Sequence, residues 1–355
     1  MPETNTLKSA QPTMNIAGKD DPLLGQGLVS LLIVENTNGL YRCEATFGNW
    51  GSINNGIGFL YFDRRTLEFG KTFKVKLDSN IIFEGRILGL EAQFPEGRSP
   101  ELSILAEDRF QDLRMTRRTR TFTDVSDADV IQQIANEHGL SPNVDITGPT
   151  YKVLAQVNQS DLAFLRERAR TIDAELWMDG SKLYAKMRSK RNSGTLKMAY
   201  GNELREFSVL ADLAGQRTGV SVNGWDVAGK AALQYEATDS IIRGELNGDS
   251  SGASILGSTL GQRKESLAHT VPLTSQEAQA EAETFFKMSA RRFVTGRGVA
   301  DASGQLRVGS YVDLQGLGPL FNGKYYLSEV KHLFDRTCGI RTEFTAERPG
   351  LGHAQ

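Results

Sequence analysis

Residues 150–184, TYKVLAQVNQSDLAFLRERARTIDAELWMDGSKLY, place a strand, a helix and a hairpin in immediate succession. Ser160 stands at an N-cap position, where its side-chain oxygen can accept a free first-turn amide. Asp161 follows in the first turn, where a negative charge suits the helix dipole. Leu162, Leu165 and Ala169 then recur at helical spacing. Residues 174–178 and 182–186 alternate around Asp179-Gly180, a strong signal for a two-residue hairpin turn. A chain built around this unit needs an α/β layer, and the question becomes what flanks it.

Both flanks read as short strands. Residues 28–50 alternate apolar and polar positions about the turn Asn36-Thr37-Asn38-Gly39. Residues 72–78 and 81–90 form a second pair turning at Ser79-Asn80, and 100–115 supply a further strand. Beyond the middle, 216–226 alternate, and the chain from 292 to 348 is strand, turn, strand. With 36 glycines and only 10 prolines, turns are plentiful. The expected class is mainly β with α/β insertions (α+β): two small antiparallel β barrels flanking a middle α/β region. The boundaries follow as a flexible N-terminal arm at 1–24, a first barrel at 25–121, the α/β region at 122–192, a second barrel at 193–348, and a tail at 349–355.

Two further helices carry start signals. Ser126 and Asp129 form a capping box, Val130, Ile131 and Ile134 one apolar face, and Gly139 a left-handed stop, giving a helix at about 127–137. Thr274 and Glu277 repeat the box, and a helix of about 275–291 places Ala278, Ala282, Phe285 and Ser289 along one face. Residues 244–260, rich in Gly and Ser, read as a loop inserted in the second barrel.

Charge and cysteine content exclude several function classes. A net charge of -2, from 41 basic and 43 acidic residues, calls for neither specific nucleic acid nor an anionic membrane. Cys43 and Cys338 lie near opposite ends and fit two reduced thiols, not a disulfide framework. No apolar run reaches the ~18 residues of a membrane span. Residues 1–25 lack the apolar core of a signal peptide.

Several motifs invite a chemical assignment. Gly248-Asp249-Ser250-Ser251-Gly252 fits the nucleophile pattern G-x-S-x-G, but a nucleophile elbow needs a strand before the serine and a helix after it, and a Gly/Ser loop supplies neither. Gly318 to Lys324 fits G-x-x-x-x-G-K, yet Tyr325 stands where a phosphate loop needs Ser or Thr, and the following residues are strand-like. His138, His269, His332 and His353 are scattered, without the spacing of a zinc helix. Asp124, Asp127 and Asp129 cluster at a helix start and read as capping. A glycosidase carboxylate pair is defined by spatial separation, which the sequence leaves open. Arg109, Arg114, Arg117, Arg118 and Arg120 form a basic run without interleaved aromatics, so it reads as a solvated strand edge or subunit contact among acidic neighbours. The expectation is therefore a non-enzyme with no catalytic, cofactor-binding or metal-ligating residues and no cofactor.

Two phrases carry a resemblance. The first is Gln159-Ser160-Asp161-Leu162-Ala163-Phe164-Leu165 followed by Trp177, Asp179, Gly180 and Leu183. The second runs through Arg292-Phe293-Val294-Thr295-Gly296, Leu306-Arg307-Val308-Gly309-Ser310 and Gly316-Leu317-Gly318. It continues in Phe321-Asn322-Gly323-Lys324-Tyr325-Tyr326 and Glu329-Val330-Lys331-His332. In this order they resemble the phage late control protein D family, baseplate hub proteins of contractile tails and related injection systems.

The resemblance implies a structural hub of a contractile phage tail, tailocin or extracellular contractile injection system, made in the bacterial cytoplasm. Its two barrels per subunit would let a homotrimer present a pseudo-sixfold face to a tail tube and a threefold face to a spike. Type VI spike proteins resemble this hub and continue into further domains, whereas this sequence stops at Gln355, so a separate spike protein is expected. The assembled hub would touch no membrane. The alternative is a tail-associated cell-wall hydrolase or a peptidoglycan- or carbohydrate-binding module.

Overall fold

The computed structural model describes residues 11–53, 56–226, 229–268 and 271–353. The first region contains β1 (Thr13–Ile16), β2 (Lys19–Asp20), α1 (Pro22–Gly27), β3 (Leu28–Asn36), β4 (Arg42–Gly48), β5 (Gly51–Ile53) and β6 (Gly56–Gly58). It continues with β7 (Thr72–Leu77), β8 (Asn80–Gln93), β9 (Glu101–Glu107) and α2 (Gln111–Arg114). Alternation sets the inward face: in β7, Phe73, Val75 and Leu77 are buried while Thr72, Lys74 and Lys76 face outward. These residues join Ile33, Cys43, Phe47, Ile82 and Ile104 in one core. The β3–β4 turn needs Gly39 twice over. Its φ is +66°, and a Cβ there would collide with the Phe110 ring and the Leu176 carbonyl.

Two expectations change here. The expected arm is ordered where it is described: β1 pairs antiparallel with β7, Met14 opposite Val75, and Met14 and Ile16 are buried in the core. Asp21 caps α1 by accepting from the Leu23 and Leu24 amides, with Pro22 at the helix start. Residues 1–10 of that arm lie outside the described residues. The strand expected to reach 115 ends at Glu107. Buried Asp108 accepts from the amides of Tyr41, at 2.7 Å, and Phe110, at 2.9 Å, and turns the chain into α2.

The middle region contains β10 (Arg117–Ser126), α3 (Asp127–Glu137), β11 (Ser141–Asp145), β12 (Thr150–Ser160), α4 (Asp161–Thr171), β13 (Ala174–Asp179) and β14 (Lys182–Met187). The Ser126–Asp129 box caps α3 reciprocally, and Ser160 caps α4 by accepting from the Ala163 amide. Val130, Ile131, Ile134, Leu162, Leu165 and Ala169 meet in a second core under β13 and β14. Gly139 and Gly180 have φ of +63° and +57°, as a helix stop and a hairpin turn require.

The third region contains β15 (Thr195–Ala199), β16 (Leu204–Ala211), β17 (Gly219–Asp226), β18 (Ala231–Ala237), β19 (Ser250–Ser251), α5 (Gly252–Thr259), β20 (Lys264–Leu267) and α6 (Ser275–Arg291). It ends with β21 (Val294–Asp301), β22 (Tyr311–Gln315), β23 (Gly323–Asp335), β24 (Gly339–Arg348) and β25 (Gly350–Leu351). Thr274 caps α6, which packs on β17 and β18. Its buried row is Ala278, Ala282, Phe286 and Ala290, not the face through Phe285 and Ser289: strict four-residue steps bring Phe286 inward and leave Phe285 half-buried.

The Gly/Ser loop is corrected as well. Residues 252–259 form α5, capped by Ser251 accepting from the Ser254 amide and anchored by buried Ala253 and Leu256. A Cβ at Gly252 would stand 2.6 Å from the Phe293 ring, so this glycine serves close packing, not looseness.

A thirteen-stranded sheet unites the two β regions, in the order β16-β21-β24-β23-β3-β4-β9-β8-β7-β1-β2, with β22 on β23 and β15 on β22. The joint is β23, which pairs antiparallel with both β24 and β3, His332 opposite Thr342 on one side and Ile33 on the other. The chain is thus mainly β with α/β insertions, as expected. Among the described residues, however, no pairing closes either β region into a barrel. The long β23 carries the hydrogen-bond ladder from one region into the other instead. No helix among the described residues is long and apolar enough to cross a membrane.

Candidate interaction site

The chemical motifs disperse. Ser250 lies in β19 with α5 behind it, so strand and helix are both present, contrary to the sequence expectation. The strained turn is nevertheless misplaced: positive φ occurs at Asn247 and Gly248, not at Ser250. Ser251 is engaged as the α5 cap, and the Nε2 of His353 contacts the Gly248 carbonyl at 3.2 Å instead of a serine.

Lys324 enters β23 directly, with its Nζ 5.4 Å from the Tyr311 ring centre. The preceding loop shows carbonyls, not amides, to its charged neighbour: Arg348 donates to Leu320 O at 3.0 Å and Asn322 O at 2.7 Å. That polarity is the reverse of a phosphate cradle.

His138 meets Asp161 at 2.8 Å, whereas His332 is buried against the Thr342 hydroxyl at 3.0 Å. His269 lies outside the described residues. Among the described residues no three His, Cys, Asp or Glu side chains gather as a metal set. Asp129 does cap, but Asp127 is buried and bonded to Arg168 Nε at 2.6 Å, and Asp124 pairs with Lys152 at 2.8 Å.

The basic run is bound internally. Arg109 pairs with Asp112, Arg114 with Glu107, and Arg117 donates to Asn158 O. Arg118 and Arg120 both reach Asp161, at 3.2 and 2.9 Å. Burial acts to raise the Asp161 pKa, but hydrogen bonds from His138 and Gln156 and the two arginine charges hold it below the usual carboxylate value.

Sequence reasoning missed the strongest electrostatic feature, an arginine junction between the regions. Arg191 is 2% exposed at its side chain and donates to Glu175 at 2.8 Å, Tyr41 Oη at 2.9 Å and Val308 O at 3.0 Å. It also lies over the Trp177 ring, 4.2 Å from its centre. One guanidinium thereby ties all three regions together. Arg188 pairs with Glu347 at 2.8 Å, and Arg291, at the end of α6, bridges Asp173 and Glu245. Arg307, between β21 and β22, reaches Glu35 on β3.

Desolvation opposes charge on Arg191 and Arg291, but their anionic and phenolic neighbours raise both pKa values further still. Burial pushes the Tyr41 phenol up to about 12, so it stays a neutral donor and acceptor. A cleft of about 450 Å³ opens over Arg188, Arg291, Tyr311 and Lys324. The only sequence signal for this junction was the run Arg188-Ser-Lys-Arg191 just after a hairpin.

A second missed feature is apolar and outward. The segment between β4 and β7 carries Trp50, Phe59 and Phe62, which pack with Phe94 beyond β8. Trp50 meets Phe59 edge-on at 5.1 Å, Phe59 stacks on Phe62 at 4.7 Å, and Phe94 closes the group at 6.3 and 5.7 Å. Phe94 is nevertheless 66% exposed and Trp50 47%. The signal was the run Phe59-Leu60-Tyr61-Phe62, too continuous for a half-exposed strand. The rings hold one another in place and leave ordered apolar surface in solvent.

The whole architecture recurs in solved structures. The 43 kDa tail protein of prophage MuSo2 from Shewanella oneidensis superposes with a TM-score of 0.69, covering 96% of this chain and 98% of that one at 12% identity. The tail protein from Neisseria meningitidis MC58 gives 0.67, covering 96% and 97% at 12% identity. An Escherichia coli component of the type VI secretion system, described as similar to the T4 bacteriophage tail proteins gp27 and gp5, gives 0.58, covering 96% and 79% at 13% identity. At these identities the likeness is one of fold. No curated protein matches the chain in sequence. The family match differs in name from the late control protein D resemblance: residues 65–335 match the Alg8 N-terminal domain, and the chain belongs to that family.

Proposed function

We propose that the chain is a non-enzymatic structural hub of a contractile phage tail, tailocin or related injection particle, akin to the late control protein D proteins. In this role three copies form a ring that adapts a sixfold tail tube to a threefold spike carried by a partner protein. The observation that carries the proposal is the full-length likeness in fold to two tail proteins and a type VI secretion component. The interior supports it physically. Arg191, Arg188, Arg291 and Arg307 lock three regions through buried pairs, and a single sheet runs from β16 to β2. Such a body transmits force between its faces instead of opening around a substrate. Ser250 and the loop before Lys324 lack the geometry of a nucleophile elbow or a phosphate cradle.

The test is location. A peptide tag on the chain, visualised on isolated particles, is expected at the baseplate end alone. A tag distributed along the tube or sheath contradicts the hub role. Release of peptidoglycan fragments by the purified chain contradicts its non-enzymatic character.

A further inference from the structure

The cleft of about 450 Å³ above the arginine junction is lined by polar groups that the fold leaves unused. Four of its five cations are matched by carboxylates. Arg188 pairs with Glu347 at 2.8 Å, Lys287 with Glu283 at 3.3 Å and Arg348 with Asp249 at 3.3 Å, while Arg291 bridges Asp173 and Glu245. The fifth, Lys324, pairs with no carboxylate among the described residues and points its Nζ over the Tyr311 ring. The cleft therefore holds one positive charge beyond those its surroundings neutralise.

It also holds unused donors. The Arg188 Nη1, the hydroxyls of Ser189 and Tyr311 and the side-chain nitrogen of Asn192 make no hydrogen bond among the described residues. Burial, with the Glu245 charge beside it, raises the Tyr311 phenol above its usual value, so at neutral pH it stays protonated and able to donate.

We infer that this cleft binds a small monocarboxylate, its charged end held by Arg188 and Lys324 and its polar body by Ser189, Asn192 and Tyr311. This is a binding activity beyond the hub reading, and it does not depend on that reading.

Charge selects the ligand class. One surplus positive charge matches one carboxylate, which accepts charge-assisted bonds from guanidinium and ammonium groups alike. A phosphate dianion would face Glu245 and Glu347 on the same walls. Backbone amides for a phosphate are also lacking beside Lys324, because the loop before it turns the Leu320 and Asn322 carbonyls toward Arg348. A sugar has no free ring to stack on. Arg188 lies 4.4 Å from the centre of the Tyr326 ring and Lys324 lies over Tyr311, and the two rings meet edge-on at 5.4 Å.

Size and depth favour a free molecule. The volume falls within the ~300–1,000 Å³ of small-molecule sites. Arg188 and Glu347 are 15% and 11% exposed at their side chains, so a free acid reaches them more readily than a carboxylate carried on a folded neighbour. Arg188, Ser189 and Asn192 follow β14, whereas Tyr311 and Lys324 belong to β22 and β23. The site thus exists only when the middle and third regions are docked, and a ligand there stabilises the folded chain by mass action.

Thermal unfolding of the purified full chain at constant ionic strength tests this with three probes: N-acetylglycine, its uncharged counterpart N-acetylglycinamide, and inorganic phosphate. N-acetylglycine is expected to raise the midpoint saturably, and the amide to leave it unchanged. Lys324→Met, at an exposed position, should weaken N-acetylglycine binding by about tenfold or more. Tyr311→Phe, which removes one hydroxyl, should weaken it by about threefold to tenfold. Lys182→Met, on the β13–β14 hairpin, should bind as the parent does.

An equal response to the amide, a stronger response to phosphate, or no response to N-acetylglycine overturns the inference. Parent-like binding by both Lys324→Met and Tyr311→Phe overturns it too, since the probe then sits elsewhere. So does failure of Lys324→Met to assemble into particles, because the lysine would then answer a neighbouring chain. The hub reading is decided separately, by where the chain lies in the particle.

Discussion

The arginine junction and the aromatic face invert the usual placement of residues, with charges inside and large rings outside. At the junction, charges are buried and satisfied internally: Arg191 and Arg291 are each 2% exposed, Arg291 pairs with Asp173 across a region boundary, and Arg191 pairs with Glu175 while donating to Tyr41 and Val308 in the other two regions. At the face, large rings are left in water although they already pack on one another. Buried ion pairs add little net stability over apolar packing, but removing one partner is costly. They therefore act by holding the regions together, whereas the exposed rings leave apolar surface in water. The difference teaches that internal fastening and exposed apolar surface are built at separate places and can be altered separately.

The largest effect that could break this contrast is expected at the junction. Arg291→Ala leaves Asp173 and Glu245 facing each other without their shared cation, and Arg191→Ala strips Glu175 and Tyr41. Each should destabilise by about 3–5 kcal/mol in urea unfolding. A loss under ~1 kcal/mol would show that the junction does not set the arrangement of the regions.

Next comes pH. His332 is buried, and desolvation, aided by the Arg307 charge, lowers its pKa to about 3 from 6.5. The unfolded chain takes up a proton below 6.5 and the folded chain does not until about 3, so stability is full above 6.5 and falls as pH drops through that window. At ~1.4 kcal/mol per pH unit, the loss between pH 6.5 and 5 is about 2 kcal/mol. In His332→Gln this contribution should vanish, flattening the pH dependence of the urea midpoint.

Gly252→Ala should cost about 1–3 kcal/mol by pressing a methyl against Phe293 and Gln216. Near neutrality, a loop rather than a packed α5 would be indicated. At the aromatic face, Ile57→Asp should change stability by less than ~0.5 kcal/mol, because Ile57 is exposed. Set against the loss at the junction, that is the sharpest form of the contrast. Smallest of all, Ser250→Ala and Lys324→Ala should leave assembly and injection unchanged, since neither side chain has the surroundings its motif requires.

The parts of this fold legible in the sequence were those fixed by near neighbours. The Ser126, Ser160 and Thr274 caps, the Asp179-Gly180 turn and the Leu162–Leu165–Ala169 stripe all act within a few residues. What was missed needs distant ones. β1 is a strand because Met14 and Ile16 meet β7, some sixty positions on. α5 looked like a loop because Gly252 and Gly257 lower helix propensity, and tertiary packing on Phe293 overrides that cost. The barrels were inferred from alternation, which marks strands and not their partners, so the β23–β3 pairing was invisible. The same holds for both sites: Arg191 meets Tyr41 across 150 positions and Arg291 meets Asp173 across 118. The Phe94 ring joins a group whose other members lie more than thirty residues earlier.

The central claim is that this rigid body works as one subunit of a ring between tube and spike. Electron cryomicroscopy of the baseplate of an intact particle tests it most directly, without imposed symmetry at that level. The account predicts three copies of this chain in a closed ring, with sixfold tube density on one side and threefold spike density on the other. A single copy, a twofold pair, or density for this chain away from that junction would contradict it.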